Sequence, residues 1–436
     1  MAFSFLLKKE SCWNGTAFLT DIEGDSIYMD ALLRRLQERN ILDDIGALLD
    51  GWCIVIGGDM CDKGDDCASL LKIVIDWKLQ NPQRVLLIPG NRELNKFRYH
   101  NELVPSKSYR PYKNGFSSFY SLTEAARMRY HRWINSHFIT PSEWTNSCID
   151  VHMIWVPWMM EEVLGIPLIH QTSRLMQMEI TQFAQYLDAL KQDISPLHHF
   201  NIFQYISLCS PVGILETSDD KRILFVHGGI NADNFLLLPT KPPRKSDSLF
   251  EWASKYKALF DDNLMKFNYN FFTDLSLDAW YKGLSIDSII TQRAHQVENN
   301  EVELSKEFID YLKYFDTSAI IVGHTPRGPI PASISQDGIS FIAADTSNYR
   351  SNETIQIMLI AADGELQIIG NFEGKETFMS SKKRGFGKKD EEGYWMRSCT
   401  DEMCIKCKGS KKQLLARVHH EIHCKQTERH PQGVGE

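Results

Sequence analysis

Five short segments of this 436-residue chain end apolar runs on residues whose side chains can hold a metal or a phosphate. They are Thr20-Asp21-Ile22-Glu23-Gly24-Asp25, Gly57-Gly58-Asp59-Met60-Cys61-Asp62-Lys63-Gly64, Gly90-Asn91-Arg92-Glu93, His227-Gly228-Gly229 and Gly323-His324-Thr325-Pro326. Carboxylate, carboxamide and imidazole together suit divalent ions such as manganese, zinc or iron. The glycines let backbone approach an ion or a phosphate closely. Asp21, Glu23, Asp59, Asn91, His227 and His324 are therefore the candidate metal ligands. Lys63, Arg92 and Arg98 are the candidate phosphate-binding cations. Asp62, in the same segment as Asp59, is a candidate acid–base residue beside a metal-bound water.

Such a set converges only if the runs before it are strands of one α/β architecture, because ligands of open α/β sheets bind beyond the carboxyl ends of the strands. The runs fit. Ala17 to Leu19, Cys53 to Ile56, Val85 to Ile88, Ile223 to Val226, Ala319 to Val322 and Ile339 to Ala343 are short, apolar and bounded by turn residues. Helix-period text at Asp30 to Glu38 and Ala68 to Leu79 lies between them. Residues 95–220 read as a largely helical insertion, with segments at Thr123 to Ile134 and Ser173 to Lys191, folded over the strand ends as a lid. The Trp155-Val156-Pro157-Trp158 cluster within it reads as packing, with stacking of a substrate ring as the alternative. One α/β domain thus covers 1–373, a basic linker 374–395 and a Cys/His-rich tail 396–436. In the tail, Cys404, Cys407, His420 and Cys424 have the spacing C-x2-C-x12-H-x3-C of a small structural zinc site. A flexible basic tail with exposed thiols is its alternative.

The five motifs, in this order, resemble those of the calcineurin-like metallophosphoesterases. The branch shared by PPP-type protein phosphatases and bis(nucleosyl)-tetraphosphatases is the most similar, with the pattern GDxHG, GDxxDRG, GNHE, HGG and GH. The resemblance implies a four-layer α/β/β/α sandwich and two divalent metal ions; the hard carboxylate of Glu23 favours manganese among them, with magnesium, iron or zinc as alternatives. It implies that Asp59 bridges the ions, that Asp21 and position 23 hold the first, and that Asn91, His227 and His324 hold the second. A metal-bound hydroxide would attack phosphorus in line. Three positions depart from the pattern. Glu23 replaces a ligating His, which adds negative charge and hardness. Lys63 replaces an Arg and loses its fork. Arg92 replaces the His that assists the leaving group, and a guanidinium clamps phosphate but donates no proton near neutral pH. The last change tilts the expected substrate toward better leaving groups, so phosphotyrosine ranks above phosphoserine and phosphothreonine. His100, from the insertion, is an alternative proton donor.

Other readings of the same residues stand beside these. Asp21, Asp59 and Asn91 could cap helices that follow strands. His227 and His324 could be satisfied core histidines. Asp62 could pair with Lys63 or Arg92. The enzyme rival is a nucleotide phosphoanhydride hydrolase of the bis(nucleosyl)-tetraphosphatase kind. The rival of another class is an inactive pseudo-phosphatase serving as a binding module. The net charge, 48 − 56 = −8, excludes a chain that is basic as a whole, so nucleic acid is not the expected partner; a phosphoprotein or nucleotide is. No apolar run reaches the length of a membrane span, and the stretch before Lys8-Lys9 is too short for a secretion signal. The 10 cysteines are scattered, so no disulfide framework is expected and the compartment is read as reducing and cytoplasmic. Lys382-Lys383-Arg384 leaves nuclear targeting as the alternative.

Overall fold

The structure is a computed structural model. Its described residues are 5–61, 64, 66–95, 202–232, 234, 248–269, 289–290, 304–326, 331–346, 356–372, 375–382 and the short strands 388–389, 395–399, 404–407, 415–416 and 421–422. Twelve strands build the body: β1 (Leu6–Leu7), β2 (Gly15–Leu19), β3 (Trp52–Ile56), β4 (Val85–Leu87), β5 (Gly213–Glu216), β6 (Arg222–Val226), β7 (Thr317–Val322), β8 (Ala332–Gln336), β9 (Ile339–Ala343), β10 (Gln356–Ile360), β11 (Leu366–Phe372) and β12 (Lys375–Ser380). They form two six-stranded sheets, ordered β12-β11-β10-β2-β3-β4 and β1-β5-β6-β7-β9-β8. Within the first, β2, β3 and β4 run parallel. Within the second, β6, β7 and β9 do.

The alternation of side chains along each strand explains why the sheets stack. On β3, Cys53 and Val55 join an apolar cluster with Phe225, Ile321 and Ile342 of the other sheet. Ile54 and Ile56 join the larger cluster that the helices cover. On β7, Ala319 and Ile321 face inward and Ile320 and Val322 outward. Successive residues of a strand point to opposite faces, so a run apolar at every position is the signature of a strand buried on both. Phe18 and Phe225 stack across the inter-sheet core with ring centroids 5.6 Å apart.

The helices form the outer layers. Helix α1 (Ser26–Glu38) is capped by the Asp25 carboxylate, which accepts from Tyr28 N, and buries Tyr28, Met29, Leu32 and Leu36. Helix α2 (Cys67–Gln80) is capped by Asp66, which accepts from Ser69 N. Helix α3 (Asn91–Asn95) is one short turn after β4. Helix α4 (Ile202–Leu208) packs on α2, and α5 (Ser248–Tyr269) contributes Trp252, Tyr256 and Phe260 to the outer core. Helix α6 (Lys306–Tyr314) is capped by Ser305 and packs on β7 and β9. Helices α1 and α2 lie on the first sheet and α6 on the second, giving the expected α/β/β/α order.

Three boundaries or pairings differ from the sequence reading. Residues 202–216, placed there in the insertion, belong to the body. Tyr205 Oη donates to Ile88 O, Ser210 N donates to Leu87 O, and β5 lies between β1 and β6. The polar, Lys-bearing text of β12 reads as linker, yet it pairs along the whole of β11 up to Ser380. An edge strand has one side facing water and carries no apolar signature. The cysteines also depart from expectation, since Cys12–Cys53 and Cys61–Cys67 are disulfides. Parallel pairing of β2 with β3 sets Gly15 opposite Trp52, which brings Cys12 beside Cys53. Gly64 N and Asp66 N donate back to Glu23 O and Gly24 O, and this folds the loop so that Cys67 returns to Cys61. Cys209 is a buried free thiol. Cysteine usage therefore no longer argues for a reducing compartment. Among the described residues no helix is long and apolar enough to cross a membrane.

In the tail, β13 (Lys388–Lys389), β14 (Trp395–Cys399) and β15 (Cys404–Cys407) form a three-stranded sheet, and β16 (Leu415–Ala416) pairs with β17 (Glu421–Ile422). Cys404 and Cys407 thus lie at the two ends of β15, while His420 and Cys424 lie outside the described residues. The helical text of the insertion, its Trp155–Trp158 cluster, Asp62, Lys63, Arg98 and His100 also lie outside them.

Candidate metal centre

The parallel strands of both sheets end at one edge, and the five motifs begin there. Asp21 follows β2, Asp59 follows β3, Asn91 follows β4, His227 follows β6 and His324 follows β7. The loops hold each other by main-chain bonds. Asp21 N donates to Gly58 O, Glu23 N to Asp59 O, and Gly323 N to His227 O. The last of these links the ends of β6 and β7, and the first two tie the first motif to the second. Gly90 has no room for a side chain: an added Cβ would sit 2.1 Å from Asp59 N and 2.2 Å from Asp59 Oδ1.

Two groups of potential ligand atoms result, Asp21–Glu23–Asp59 and Asp59–His227–His324, each with its atoms within 4.8 Å of one another. Asp59 belongs to both. Asn91 joins the second group, since its Oδ1 is 2.7 Å from His324 Nδ1 and 3.2 Å from His227 Nε2. His227 Nδ1 donates to Gly57 O at 2.7 Å, which fixes the tautomer and turns Nε2 toward Asp59 Oδ1 at 3.2 Å. Thr20 Oγ1 donates to Asp21 Oδ2, and His324 N reaches both Asp21 carboxylate oxygens. All six candidate ligands from the sequence are brought together.

The backbone of this edge is strained where the candidate ligands sit. Asp21 (φ 53), Glu23 (φ 56), Asp59 (φ 52) and His324 (φ 65) are all left-handed and none is glycine. Such conformations cost of order 1–3 kcal/mol each and persist where the surroundings over-determine them. Helix capping does not account for these acids, because the caps of α1 and α2 are Asp25 and Asp66.

Charge is concentrated here and hidden from water. Asp21, Glu23, Asp59 and Asp345 are all buried. Burial pushes the Asp21 carboxyl well above its usual range, and Asp345, Asp59 and Glu23 add to this while His227 opposes it. Burial would also raise Asp59, but the charge and hydrogen bond of His227, then Arg92 and His324, hold it well below the usual range. Burial would lower His227; Asp59, Asp21 and the Gly57 carbonyl instead push it up to about 10. Carboxylates this close cannot all ionise unaided. A donor set of acids, amide and imidazoles under that repulsion fits divalent cations, which repay the desolvation of several anions at once.

Comparison with known proteins gives likenesses of shape. The chain is similar to a cold-active protein-tyrosine phosphatase of a psychrophile Shewanella sp., at 15% identity and a TM-score of 0.46, covering 86% of this chain and 82% of that one. It is also similar to a Saccharomyces cerevisiae protein serine/threonine phosphatase with similarity to human PP5 (10% identity, TM-score 0.38, 86% and 82%). A third likeness is to a putative diadenosine tetraphosphatase (10%, 0.32, 85% and 100%). No family model matches the sequence, and no curated protein does. The four-layer architecture stands on the strand order and the two apolar cores, independently of these likenesses.

Arg92, the one phosphate-binding candidate among the described residues, is not placed as a free phosphate clamp. Its Nε is 3.2 Å from Glu23 Oε1 and 3.3 Å from Asp59 Oδ2. Two further residues support the site without being among the sequence candidates. Glu93, fully buried, accepts from the backbone N–H groups of Gly90 and Asp59 on Oε2 and of Met60 and Cys61 on Oε1. Asp345, two residues past β9, acts on Asp21 through charge. Their signals were present: Glu93 closes the third motif, and Asp345 ends a strand parallel to β7.

Proposed function

We propose that the chain is a metal-dependent phosphoesterase, and that its two overlapping ligand groups sharing Asp59 hold two divalent ions. That shared carboxylate is the observation that carries the reading. Ions held there would supply Lewis acidity toward a phosphoryl oxygen and bring the pKa of a water near neutrality. The chain's own part is to fix the ligands and set the charge. Gly57 O holds the His227 tautomer, Glu93 holds the Asp59 loop, and Asn91 orients both imidazoles. Manganese is the favoured metal, because the Asp21–Glu23–Asp59 group consists of hard oxygen donors.

The substrate class follows from Arg92. It stands in the third motif beside Asp59 and cannot release a proton near pH 7. A leaving group that needs little protonation is then favoured, so phosphotyrosine ranks above phosphoserine and phosphothreonine. The test is hydrolysis of para-nitrophenyl phosphate by metal-stripped protein given manganese, magnesium or zinc, with Asp59→Asn beside it. Turnover restored by manganese and lost at least about 100-fold in the variant is expected. Metal binding without turnover on that substrate, phosphopeptides or dinucleoside tetraphosphates would favour the binding-module alternative. Faster cleavage of phosphoserine than of phosphotyrosine peptides would sink the substrate ranking.

A further inference from the structure

The two residues that depart most in charge from the motif pattern, Glu23 and Arg92, touch each other. The Arg92 side chain is 16% exposed, against 6% for Glu23 and 4% for Asp59, and its Nε contacts one oxygen of each. Its backbone N–H donates to the second Asp59 oxygen at 3.0 Å, so the side chain departs from a fixed point. Glu23 and Asp59 are two of the three members of the Asp21–Glu23–Asp59 group. The guanidinium is thus set against the oxygen donors of one half of the centre. Glu23 adds one negative charge where the pattern has a neutral imidazole, and Arg92 adds one positive charge where the pattern has another. The pair keeps the charge of the centre unchanged.

Building on the two-ion reading above, we propose that Arg92 is a tethered cation that competes with the ion of the Asp21–Glu23–Asp59 group. It is a positioning residue, matched in charge to Glu23. The two ions then bind with well-separated affinities, tightly at Asp59, Asn91, His227 and His324 and weakly at the acid group. The physical reason is simple. A guanidinium cannot be neutralised by losing a proton, so a divalent ion reaching Glu23 and Asp59 must do so against a fixed positive charge in contact with both. Partial burial makes that repulsion stronger than it would be in water. The weak ion would load and leave with the ambient metal concentration while the tight one stayed.

Titration of metal-stripped, full-length protein with Mn2+ alone, by calorimetry, decides this without reference to turnover. Wild type is expected to bind two ions in two steps at least about 10-fold apart. Arg92→Met removes the cation and should tighten the weaker step about 10-fold or more. Arg92→Lys keeps the charge and should stay within about 3-fold of wild type. Glu23→Gln should weaken that step, and Glu23→Gln with Arg92→Met, which removes both charges, should return it toward wild type. Two ions binding wild type in one step of equal affinity would overturn the proposal without any variant. So would a weak step that Arg92→Met leaves unchanged or loosens in protein that still melts cooperatively. Failure to bind any ion would sink the two-ion reading itself; two-step binding indifferent to Arg92 sinks only this one.

Discussion

Glu93 accepts four backbone N–H groups and yet belongs to neither ligand group. Hydrogen bonds to an ionised acceptor are worth about 1.5–3 kcal/mol each, and leaving buried donors unmet costs about as much again. Glu93→Gln keeps the shape but turns an amide N–H toward donors. It should cost about 3 kcal/mol in urea unfolding. It should also weaken manganese binding, since Asp59 leaves the same loop. A variant that lost stability but kept its metal affinity would show that the clamp serves the fold alone. The residue types that carry chemistry were legible in the sequence because they follow strands. The direction of Arg92 was not, because spacing along a chain does not say which of several neighbouring charges a long side chain will meet.

At the scale of elements, the strands could be read because burial on both faces leaves runs without polar interruption, as in Cys53–Ile56 and Ile320–Val322. Edge β12 and one-turn α3 could not, since an edge needs no apolar run and a single turn has no period. The disulfides escaped for another reason: only the parallel register of β2 and β3 makes Cys12 and Cys53 neighbours. Their separation of 41 residues implies roughly 3–4 kcal/mol of loop-entropy stabilisation. A dithiol reductant should lower the unfolding midpoint accordingly, and Cys12→Ser should abolish that part of the response. Helix α2 offers a second test. Lys78 is buried in its last turn, donating to Pro82 O and Val85 O, and burial lowers its pKa to about 8. Its folded value lies below the unfolded one, so the unfolded chain binds more protons above pH 8, and this group adds stability as pH rises. The contribution is about 1 kcal/mol between pH 8 and 9. Lys78→Met should flatten that slope in urea titrations relative to wild type.

Across the whole molecule, the centre joins the two sheets. Asp21, Asp59 and Asn91 come from one and His227 and His324 from the other, so ions bound there would clamp the sandwich as well as serve the proposed chemistry. Metal loading should raise the melting temperature, by an amount worth about 2.7 kcal/mol at a metal concentration 100 times the dissociation constant. The sign of the pH dependence follows from His227, whose folded pKa of about 10 exceeds its unfolded value near 6.5. In stripped protein the His227–Asp59 pair contributes stability that is complete below the unfolded value and is lost as pH rises through the folded one. Metal binding requires the same imidazole without its proton. The gap in stability between loaded and stripped protein should therefore widen from about pH 7 to pH 9. A constant gap would show that His227 does not exchange a proton for an ion.

The order in which the chain emerges during synthesis sets a different demand. Every candidate ligand has been made once His324 is out, yet the first sheet is still open. Phe18 of β2 waits for Met358 of β10, and β10 brings β11 and β12 with it. Until then β2 offers an unpaired edge between two apolar faces, the kind of surface that nascent chains expose to one another. A ribosome-bound chain whose emerged part ends just after residue 326 would carry every candidate ligand and an unfinished fold. It should bind chaperones, and release should need the last strands rather than the last ligand.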